Sequence, residues 1–415
     1  MLIQAWAINS LEYESLAQLQ ANHSDNKIWS CYRTEGGLFI DIMILKINYE
    51  NFVRLLKKLN IRFATKMETD IIQKIIDIQT KITIEYVTLW PQLGSYMYFD
   101  YYPRYYEVLR WLDHLEAQKP KLIKVFTVGK SYEDKELKII KIGEDTGIRK
   151  PAFYIEAGVR AREWASITTA LYFISLLFEP ERWSSPLQLR YIKELLRRAD
   201  FYIMPLMNPD GYEYSFIEDR LWTKNRRPNY NSKCIGVDLD SNYEHVSWGK
   251  EKLAIGGVSY TDPCSDYYQG PRPFTEIETR TVRDFISSLK CDFRSFVTIR
   301  EYGAMFLAPY AHTYDPPSNH KELRFIMKKA IIDTPDYSIG SISNRLFVAT
   351  GSSVDWAYDN MGIKYSFAIE LKEKENSGYL MPKENILKVA KDAWKIYNEM
   401  FYPVFDRVEG KECKN

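Results

Sequence analysis

The first 85 residues show a hydrophobic pattern that changes its period several times. It predicts a strand, a helix, two strands, a helix and a strand in that order, which is the arrangement of the split βαβ sandwich. The predicted elements are Gln4–Asn9, Leu11–Gln20, Lys27–Tyr32, Leu38–Leu45, Tyr49–Leu59 and Ile61–Thr65. Isoleucines then recur at helical spacing from Met67 to Gln79, in a stretch without Gly or Pro. They predict a helix that connects this unit, to about residue 96, with the rest of the chain.

A second pattern occupies residues 97–410, where apolar strands alternate with helices. The predicted strands are Ile123–Val128, Leu137–Ile142, Ala152–Ala157, Phe201–Leu206, Phe296–Ile299 and Lys364–Leu371, and the predicted helices include Trp164–Phe178 and Lys383–Tyr402. This alternation indicates an α/β domain with a mixed, mostly parallel sheet covered by helices on both faces. Ligands in such folds gather beyond the carboxyl ends of the strands. The aperiodic stretch from Thr223 to Pro273 predicts long loops, which usually carry function.

Composition limits the partners that the chain can have. Its 415 residues are 46% hydrophobic, which is enough to fill the cores of two domains. The formal net charge of +1 lacks the basic excess typical of phosphate-binding proteins, so we predict no nucleic-acid partner. No uninterrupted apolar stretch reaches the roughly 18 residues of a membrane-spanning helix, so we also predict no membrane span.

The most specific motif lies between a predicted strand and a predicted helix. The segment Gly158-Val159-Arg160-Ala161-Arg162-Glu163-Trp164 resembles the zinc-ligand motif of the pancreatic-type metallocarboxypeptidases, in which a histidine stands three residues before a glutamate. Further motifs of that family follow in order: Asn208-Pro209-Asp210-Gly211-Tyr212, Asp219-Arg220-Leu221-Trp222, Gly236-Val237-Asp238, Gly351-Ser352-Ser353-Val354-Asp355-Trp356 and Gly362-Ile363-Lys364-Tyr365-Ser366-Phe367. The resemblance to the carboxypeptidase A/B-like family implies the zinc carboxypeptidase fold for residues 97–410 and a prodomain for residues 1–85.

The resemblance also identifies which metal ligands the chain has lost. Glu163 fits the family's ligating glutamate, but Arg160 and Arg300 stand at the positions of the two zinc-binding histidines. Arginine has no acceptor lone pair and stays protonated, so it cannot ligate a cation. We therefore predict no functional zinc site and no cofactor, although Glu370 fits the position of the family's general base.

The charges of these residues suggest how the site is stabilised. In the family, zinc, two neutral histidines and two carboxylates sum to zero, and here Arg160 and Arg300 with Glu163 and Glu370 also sum to zero. A charge in an apolar strand is costly unless it is paired. We hypothesise that the two arginines bridge Glu163 and Glu370 as a structural ion-pair cluster.

The substrate-binding positions of the family are partly replaced as well. Asp240 and Ser241 stand where the family holds the terminal carboxylate of the peptide, and an acid there repels an anion. Thr223 stands at the position of the arginine that polarises the scissile carbonyl, and Phe347 at that of the mobile tyrosine. The retained positions are Arg162, Arg220, Tyr302 and Tyr379, together with Val354, which implies an apolar specificity pocket.

The chain has five cysteines, of which the resemblance pairs Cys234 with Cys264. We expect Cys31, Cys291 and Cys413 to be unpaired. A disulfide and the sequon Asn22-His23-Ser24 favour an extracellular protein, as the family implies. The segment from Met1 to Trp6 lacks the basic start and apolar stretch of a secretory signal, so either the signal is missing here or the protein is not exported.

We therefore predict a monomeric, catalytically inactive homologue that binds a peptide or protein. The alternative is an active metallocarboxypeptidase that uses zinc with unusual ligands to release apolar C-terminal residues. His245 is the only histidine near an active-site segment, and a site made from it and Glu163 would still lack ligands. Cleavage of the prodomain would need a basic residue in the connecting helix, where Lys74 and Lys81 are available.

Overall fold

The structure is a computed structural model that describes residues 1–8, 12, 15, 27–34, 36–93, 97–230, 232–246, 248, 259–289, 292–373 and 376–408. For residues 87–93 and 408 only the backbone is described. The predicted helix Leu11–Gln20, apart from Glu12 and Ser15, lies outside these residues. The sequon at Asn22 and the cysteines Cys291 and Cys413 lie outside them as well.

The chain begins with a small sheet of its own. Its strands are β1 (Leu2–Ala7), β2 (Lys27–Thr34), β3 (Gly37–Met43) and β4 (Arg62–Met67), in the order β2-β3-β1-β4. All three pairings are antiparallel. Helix α1 (Tyr49–Lys58) buries Phe52, Val53 and Leu56. We call residues 1–67 the N-terminal unit.

Helix α2 (Thr69–Leu93) follows the N-terminal unit and is longer than the predicted stretch Met67–Gln79. The next glycine or proline after Met67 is Pro91, so the sequence offers nothing that would end the helix earlier. The Gln79 side chain donates a hydrogen bond to the carbonyl of Met381 at 3.1 Å. The helix is thereby attached to the larger domain that follows it.

The larger domain is built on an eight-stranded sheet. Its strands are β5 (Ile123–Lys130), β6 (Glu136–Ile142), β7 (Ala152–Glu156), β8 (Asp200–Met204), β9 (Phe293–Glu301), β10 (Met305–Ala308), β11 (Ser338–Ser341) and β12 (Tyr365–Leu371), in the order β11-β10-β12-β9-β7-β8-β6-β5. The central pairs β12–β9, β9–β7 and β7–β8 are parallel, as is β10–β11, whereas β10–β12, β6–β8 and β5–β6 are antiparallel. The predicted fold class, a mixed and mostly parallel sheet preceded by a small sheet unit, is confirmed.

Helices cover both faces of this sheet. They are α3 (Tyr105–Gln118), α4 (Trp164–Phe178), α5 (Pro180–Trp183), α6 (Pro186–Arg198), α7 (Pro209–Ile217), α8 (Ile277–Ser288), α9 (His320–Ala330), α10 (Ile342–Arg345), α11 (Ser353–Asp359) and α12 (Lys383–Val408). All residues of α4 are buried because it is apolar on every side and packs between the sheet and α12. None of the helices within the described ranges carries an apolar stretch suited to crossing a bilayer.

The cysteine predictions can be compared with the structure at three positions. Cys234 and Cys264 form a disulfide in the loop region, as the resemblance implies, with their Cα atoms 5.1 Å apart. Cys31 is a buried free thiol on β2. The disulfide closes a loop of 30 residues, which stabilises an otherwise irregular segment by a few kcal/mol.

Candidate functional site

The candidate site lies at the carboxyl ends of three neighbouring parallel strands. Arg160 and Glu163 lie in the loop that joins β7 to α4, and Glu163 is the N-cap residue of that helix. Arg300 lies at the end of β9 and is in register with Glu370 on β12. Gly158 allows the tight exit from β7: its φ is +63°, and a Cβ there would lie 2.8 Å from the side chain of Ile167.

Arg300 forms the innermost ion pair. Its Nε donates to Glu163 Oε2 at 2.9 Å and its Nη2 donates to Glu163 Oε1 at 3.2 Å. A third nitrogen of the same guanidinium bonds the carboxylate of Asp240. Arg300 and Glu163 are both buried, so this is a two-pronged ion pair shielded from water.

Arg160 forms a second ion pair beside the first. Its Nε and Nη2 donate to the two oxygens of Asp238 at 3.1 and 2.9 Å. Asp240 lies 3.7 Å from the same guanidinium, and Glu163 lies 4.0 Å from it. The ring of Tyr267 covers the guanidinium at 5.1 Å.

The electrostatics keep Arg160, Arg300 and Asp238 ionised despite burial. Burial alone would lower the pKa of Arg160 and of Arg300, but neighbouring acids, chiefly Asp238 for Arg160 and Asp240 for Arg300, raise each pKa well above its usual value. Burial would also raise the pKa of Asp238, and Arg160 more than reverses that effect, so this pKa is lowered. Two guanidinium groups and three carboxylates thus form one cluster, which we call the arginine–acid cluster (Arg160, Glu163, Asp238, Asp240 and Arg300).

The hypothesis that the arginines also bridge Glu370 is wrong. Within the part of the chain that the structure describes, Glu370 forms no ion pair, because Asp238 and Asp240 take the guanidinium groups instead. Burial raises the pKa of Glu370 to about 8, although Arg300 opposes the shift. The carboxyl group is therefore mostly neutral at pH 7 and needs no counter-ion.

These residues do not fit a zinc ion at the family's position. Arg160 and Arg300 offer only N–H donors, and both oxygens of Glu163 already accept hydrogen bonds from Arg300. Zinc requires lone pairs from imidazole, thiolate or carboxylate groups. Only Glu163 of the three ligand positions supplies one, so no catalytic step can be derived through a metal here.

Most of the predicted site residues line one cleft. The residues that line it are Arg160, Asp240, Ser241, Arg300, Tyr302, Phe347, Val354, Glu370 and Tyr379. Glu163, Arg162, Arg220 and Thr223 are buried and do not line it. The structure thus brings nine of the candidate residues together in one cleft, and the other four lie behind its surface.

Three of the replaced substrate positions have structural partners. Asp240 was predicted to repel an incoming anion, and in the structure its charge is matched by Arg300. The Ser241 hydroxyl donates to Asp238 at 2.9 Å. Thr223 is buried, and its backbone carbonyl accepts a hydrogen bond from the amide of Ala161 at 2.9 Å.

The N-terminal unit covers the cleft. Trp29, Ser30 and Cys31 on β2 are part of the cleft wall. The Tyr379 hydroxyl donates to the carbonyl of Trp29 at 2.6 Å, and the two rings lie 5.6 Å apart. Gly378 makes room for Trp29, since a Cβ at that position would lie 2.7 Å from the indole ring. These contacts hold β2 against the wall of the cleft.

A buried polar network fixes the N-terminal unit at the same place. Asp41 accepts a hydrogen bond from the Tyr302 hydroxyl at 2.6 Å. It also forms an ion pair with Lys66 at 2.8 Å. Lys66 also pairs with Glu373 of the larger domain at 2.8 Å. Burial raises the pKa of Tyr302 well above its usual value, and Asp41 adds to the shift, so the hydroxyl remains a donor. We call Asp41, Lys66, Tyr302 and Glu373 the interface network.

The two retained arginines bind groups of the protein itself. Arg220 donates to the Gln79 side chain of α2 at 3.1 Å and to the carbonyls of Arg162 and Tyr379 at 3.0 and 2.7 Å. Burial lowers the pKa of Arg220 to about 10. Arg162 pairs with Asp266 at 3.2 Å and stacks on the ring of Tyr379 at 4.4 Å. Both guanidinium groups therefore bind other residues of this chain.

Sequence reasoning missed Asp238, Trp29 and Asp41 as site residues. Asp238 appeared only as part of a family motif, although a charge count that included it would have shown a surplus of acid near Arg160. Asp41 is an acid inside the apolar stretch Leu38–Leu45, and such a charge indicates a buried partner. Nothing in the sequence around Trp29 indicated a site residue, beyond its place in an apolar strand. His245 does not approach a zinc position with Glu163, since it pairs with Asp359 at 3.0 Å.

Both the sequence and the fold match known proteins. Residues 108–396 match the profile of the peptidase M14 zinc carboxypeptidases. Mast cell carboxypeptidase A of Rattus norvegicus is 34% identical over 335 residues, which cover 79% of this chain and 76% of the rat protein. The crystal structure of thrombin activatable fibrinolysis inhibitor superposes with a TM-score of 0.83 at 25% identity, and the match covers 98% of this chain and 99% of that one.

A further solved structure is that of bovine thrombin-activatable fibrinolysis inhibitor in complex with tick carboxypeptidase inhibitor. It matches with a TM-score of 0.67 at 30% identity, and the match covers 75% of this chain and 100% of the bovine chain. The sequence profile spans well over half of the chain, and the motifs around Glu163 and Glu370 lie at the strand ends where the fold places its site. The chain belongs to the zinc carboxypeptidase family.

Proposed function

We propose that this protein is a catalytically inactive zinc carboxypeptidase homologue that acts by binding a peptide or protein. One observation carries the proposal: both histidine positions hold guanidinium groups that are ion-paired to Glu163 and Asp238. Both oxygens of Glu163 already accept hydrogen bonds from Arg300, so a metal ion could use this carboxylate only by displacing the guanidinium group. Glu370, at the position of the general base, then has no metal-bound water to activate.

The substrate positions support the same proposal. Hydrolysis of a peptide bond needs a donor for the developing oxyanion, and losing one such donor typically costs about 2.7–4 kcal/mol. The backbone carbonyl of Thr223 bonds the amide of Ala161, and Phe347 packs at 5.8 Å against the ring of Tyr267. Neither side chain supplies a charged donor to the cleft.

The N-terminal unit is proposed to remain as a resident occupant of the cleft. Three contacts hold this unit in the way that a bound ligand would be held. Tyr379 donates a hydrogen bond to the carbonyl of Trp29, and Tyr302 donates one to Asp41. Lys66 forms an ion pair with Glu373. A partner would bind the composite surface of both units or would displace the N-terminal unit. The bovine relative was solved in complex with a protein, tick carboxypeptidase inhibitor, which supports a protein partner for this fold. The disulfide Cys234–Cys264 supports an extracellular location.

The test is a hydrolysis assay on the zinc-equilibrated full chain. Release of C-terminal phenylalanine or leucine from blocked dipeptides is followed, with an active carboxypeptidase A as positive control and with trypsin-treated protein as a second sample. No release above the rate without protein is expected in either sample. Zinc-dependent release that disappears in Glu163→Gln would contradict the proposal, because Glu163 would then be a working ligand.

The binding part of the proposal needs its own measurement. Tagged full-length protein and a Tyr379→Ala variant are compared for binding to a library of peptides with free C-termini. If the cleft and its cover form the binding surface, the variant loses or changes the set of peptides bound. If neither form binds any peptide, a peptide ligand is contradicted. The remaining candidate is then a folded protein partner.

A further inference from the structure

The N-terminal unit covers the cleft without filling it. A cavity of about 60 Å³ remains, with Trp29, Ser30 and Cys31 of the N-terminal unit in one part of its wall and residues of the larger domain in the rest. We call it the cleft cavity. A buried water molecule needs roughly 10–15 Å³ of such space, so the cavity has room for about four to six of them. A single side chain of similar size therefore fits.

One carboxyl group in the wall of the cleft cavity has no partner. Glu370 lines the cavity and is 8% exposed. Among the residues that the structure describes, none forms a hydrogen bond or an ion pair with its carboxyl group. Buried polar groups are almost always hydrogen-bonded, so each exception needs an explanation. An unpartnered carboxyl group in a cavity wall is a place where a ligand can form a hydrogen bond.

The charge beside Glu370 is negative. Asp240 lines the same cavity, and 19% of its side chain is exposed. It belongs to the arginine–acid cluster, whose two guanidinium groups and three carboxylates leave one negative charge uncompensated. Burial is the main cause of the raised pKa of Glu370, and Asp240 adds to it, so the two carboxyl groups lie close enough to interact. A cation between them would balance the cluster and favour the ionised form of Glu370.

The remainder of the wall suits the hydrocarbon part of an organic cation. Val354, Ala368 and Ile342 line the cavity with apolar side chains. Aromatic rings line it as well, and the face of an aromatic ring attracts an ammonium group. The rings are those of Trp29, Tyr260, Tyr267, Tyr302, Phe347 and Tyr379. Acids within an apolar and aromatic wall favour an ammonium group on an alkyl chain.

The cleft cavity offers little to an anion. Arg160 and Arg300 line it, but both guanidinium groups are paired with acids. Arg162 and Arg220 lie behind its surface and bind other residues of this chain. The unpaired charge at the cavity is therefore negative, which repels a carboxylate and attracts a cation.

We propose that the cleft cavity binds a lysine side chain of a peptide or protein partner, with the ammonium group at Glu370 and Asp240. This inference rests on the proposed binding function and specifies the chemistry of the ligand. The recognised group is the cation instead of a terminal carboxylate, so a lysine whose carboxyl group is an amide should bind as well as a C-terminal one. Val354 would pack against the methylene groups of the lysine.

The experiment measures the binding of four blocked dipeptides to the full chain by isothermal titration calorimetry at pH 7. They are N-acetyl-alanyl-lysine and N-acetyl-alanyl-norleucine, each as the free acid and as the amide. Norleucine is the matched control because it has the straight carbon chain of lysine without the ammonium group. The protein samples are the unaltered chain, Glu370→Gln and, at an exposed position, Glu218→Gln.

Both lysine dipeptides should bind with similar affinity, and at least about tenfold more tightly than the norleucine pair, because an ion pair with a buried carboxylate is a strong contact. Glu370→Gln should weaken lysine binding several-fold, whereas Glu218→Gln should leave it unchanged. The inference would be overturned by equal lysine binding in Glu370→Gln, by affinity that follows the free carboxylate instead of lysine, or by no binding of any dipeptide. If circular dichroism shows that Glu370→Gln does not fold, the comparison of lysine with norleucine on the unaltered chain decides.

Mass spectrometry of the dipeptides after the titration separates this inference from the proposed function. Release of lysine or norleucine from the free acids would contradict catalytic inactivity, on which the inference rests. Intact dipeptides that bind through their free carboxylate would contradict the lysine inference alone and leave a catalytically inactive peptide-binding protein.

Discussion

Arg300 donates two hydrogen bonds to Glu163, so the residue at one lost histidine position neutralises the glutamate that the family uses as a zinc ligand. Arg160 does the same for Asp238. The positive charge that a metal would bring is thus supplied by two side chains. The arginine–acid cluster as a whole has two positive and three negative charges.

We expect removal of one partner of this pair to be costly. Arg300→Met leaves Glu163 buried without its counter-ion, and breaking a buried pair typically costs about 3–5 kcal/mol of the free energy of unfolding. Urea denaturation followed by tryptophan fluorescence measures the change. Arg190→Met, at an exposed position on α6, is the matched control and should stay within about 0.5 kcal/mol. Equal stability of the two variants would show that the pair contributes no net stability.

The interface network should control how firmly the N-terminal unit is held. Asp41→Asn removes the charge that Lys66 and Tyr302 share, so the unit should detach more often and expose the connecting helix. Trypsin cleavage after Lys74 or Lys81, both exposed on α2, is the readout, and we expect a rate at least several times that of the unaltered chain.

The control for that experiment is an ion pair on the surface. Lys46 pairs with Asp70 at 3.5 Å, with side chains 69% and 81% exposed, so Lys46→Ala should leave the cleavage rate nearly unchanged. Cleavage that is equally slow in Asp41→Asn would indicate that apolar contacts such as those of Trp29 hold the unit without help from the network.

The fold could be predicted because its signals are local. The strand Ala152–Ala157 and the helix Trp164–Phe178 are marked by apolar runs, and the structure has them at Ala152–Glu156 and Trp164–Phe178. The extent of β9 was underestimated, since its polar ends at Arg294 and Arg300 hide the continuation of the strand. Which strands pair depends on contacts between distant segments, and the family resemblance rather than periodicity supplied that information.

The site could be predicted only in part, for a different reason. The identities of Arg160 and Arg300 predict that two zinc ligands are replaced, but they do not predict which acids pair with the guanidinium groups. Asp238 and Glu370 are both acids in family motifs, and only the geometry favours Asp238.

The contribution of Glu278 to the free energy of unfolding should fall as the pH rises from acid to alkaline values. Burial raises the pKa of Glu278 to about 8, and Glu276 adds to the shift. The unfolded chain, with an ordinary glutamate pKa, binds fewer protons in that range, so stability is fully present below about pH 4.5 and is lost as the pH rises through 8. A difference of one pKa unit between the folded and unfolded chains corresponds to about 1.4 kcal/mol. The free energy of unfolding therefore falls by an amount on the order of a few kcal/mol.

Glu278→Gln isolates that contribution because the amide stays neutral at every pH. The variant should gain stability relative to the unaltered chain between pH 5 and about 8.5, as measured by urea denaturation at several pH values. Glu218→Gln, an exposed position, should give a difference that does not change with pH. Parallel pH profiles for Glu278→Gln and the unaltered chain would contradict the assignment.

Restoring the two histidines should restore a metal site but not catalysis. In the double variant Arg160→His with Arg300→His, Glu163 would be released from its ion pair, and Asp238 would be placed to orient the new imidazole at position 160, where it now accepts from Arg160 at 2.9 Å. Two imidazoles and one carboxylate form the usual catalytic zinc set.

We expect that double variant to bind about one zinc per chain more than the unaltered chain does at the same concentration. Hydrolysis of C-terminal phenylalanine from a blocked dipeptide should stay at the background rate, because Thr223 and Phe347 supply no charged donor and Asp240 loses its partner Arg300 and faces the incoming carboxylate unpaired. Zinc binding without activity would locate the loss of function in both the metal ligands and the substrate positions. Recovery of activity would show that the two arginines alone had abolished it.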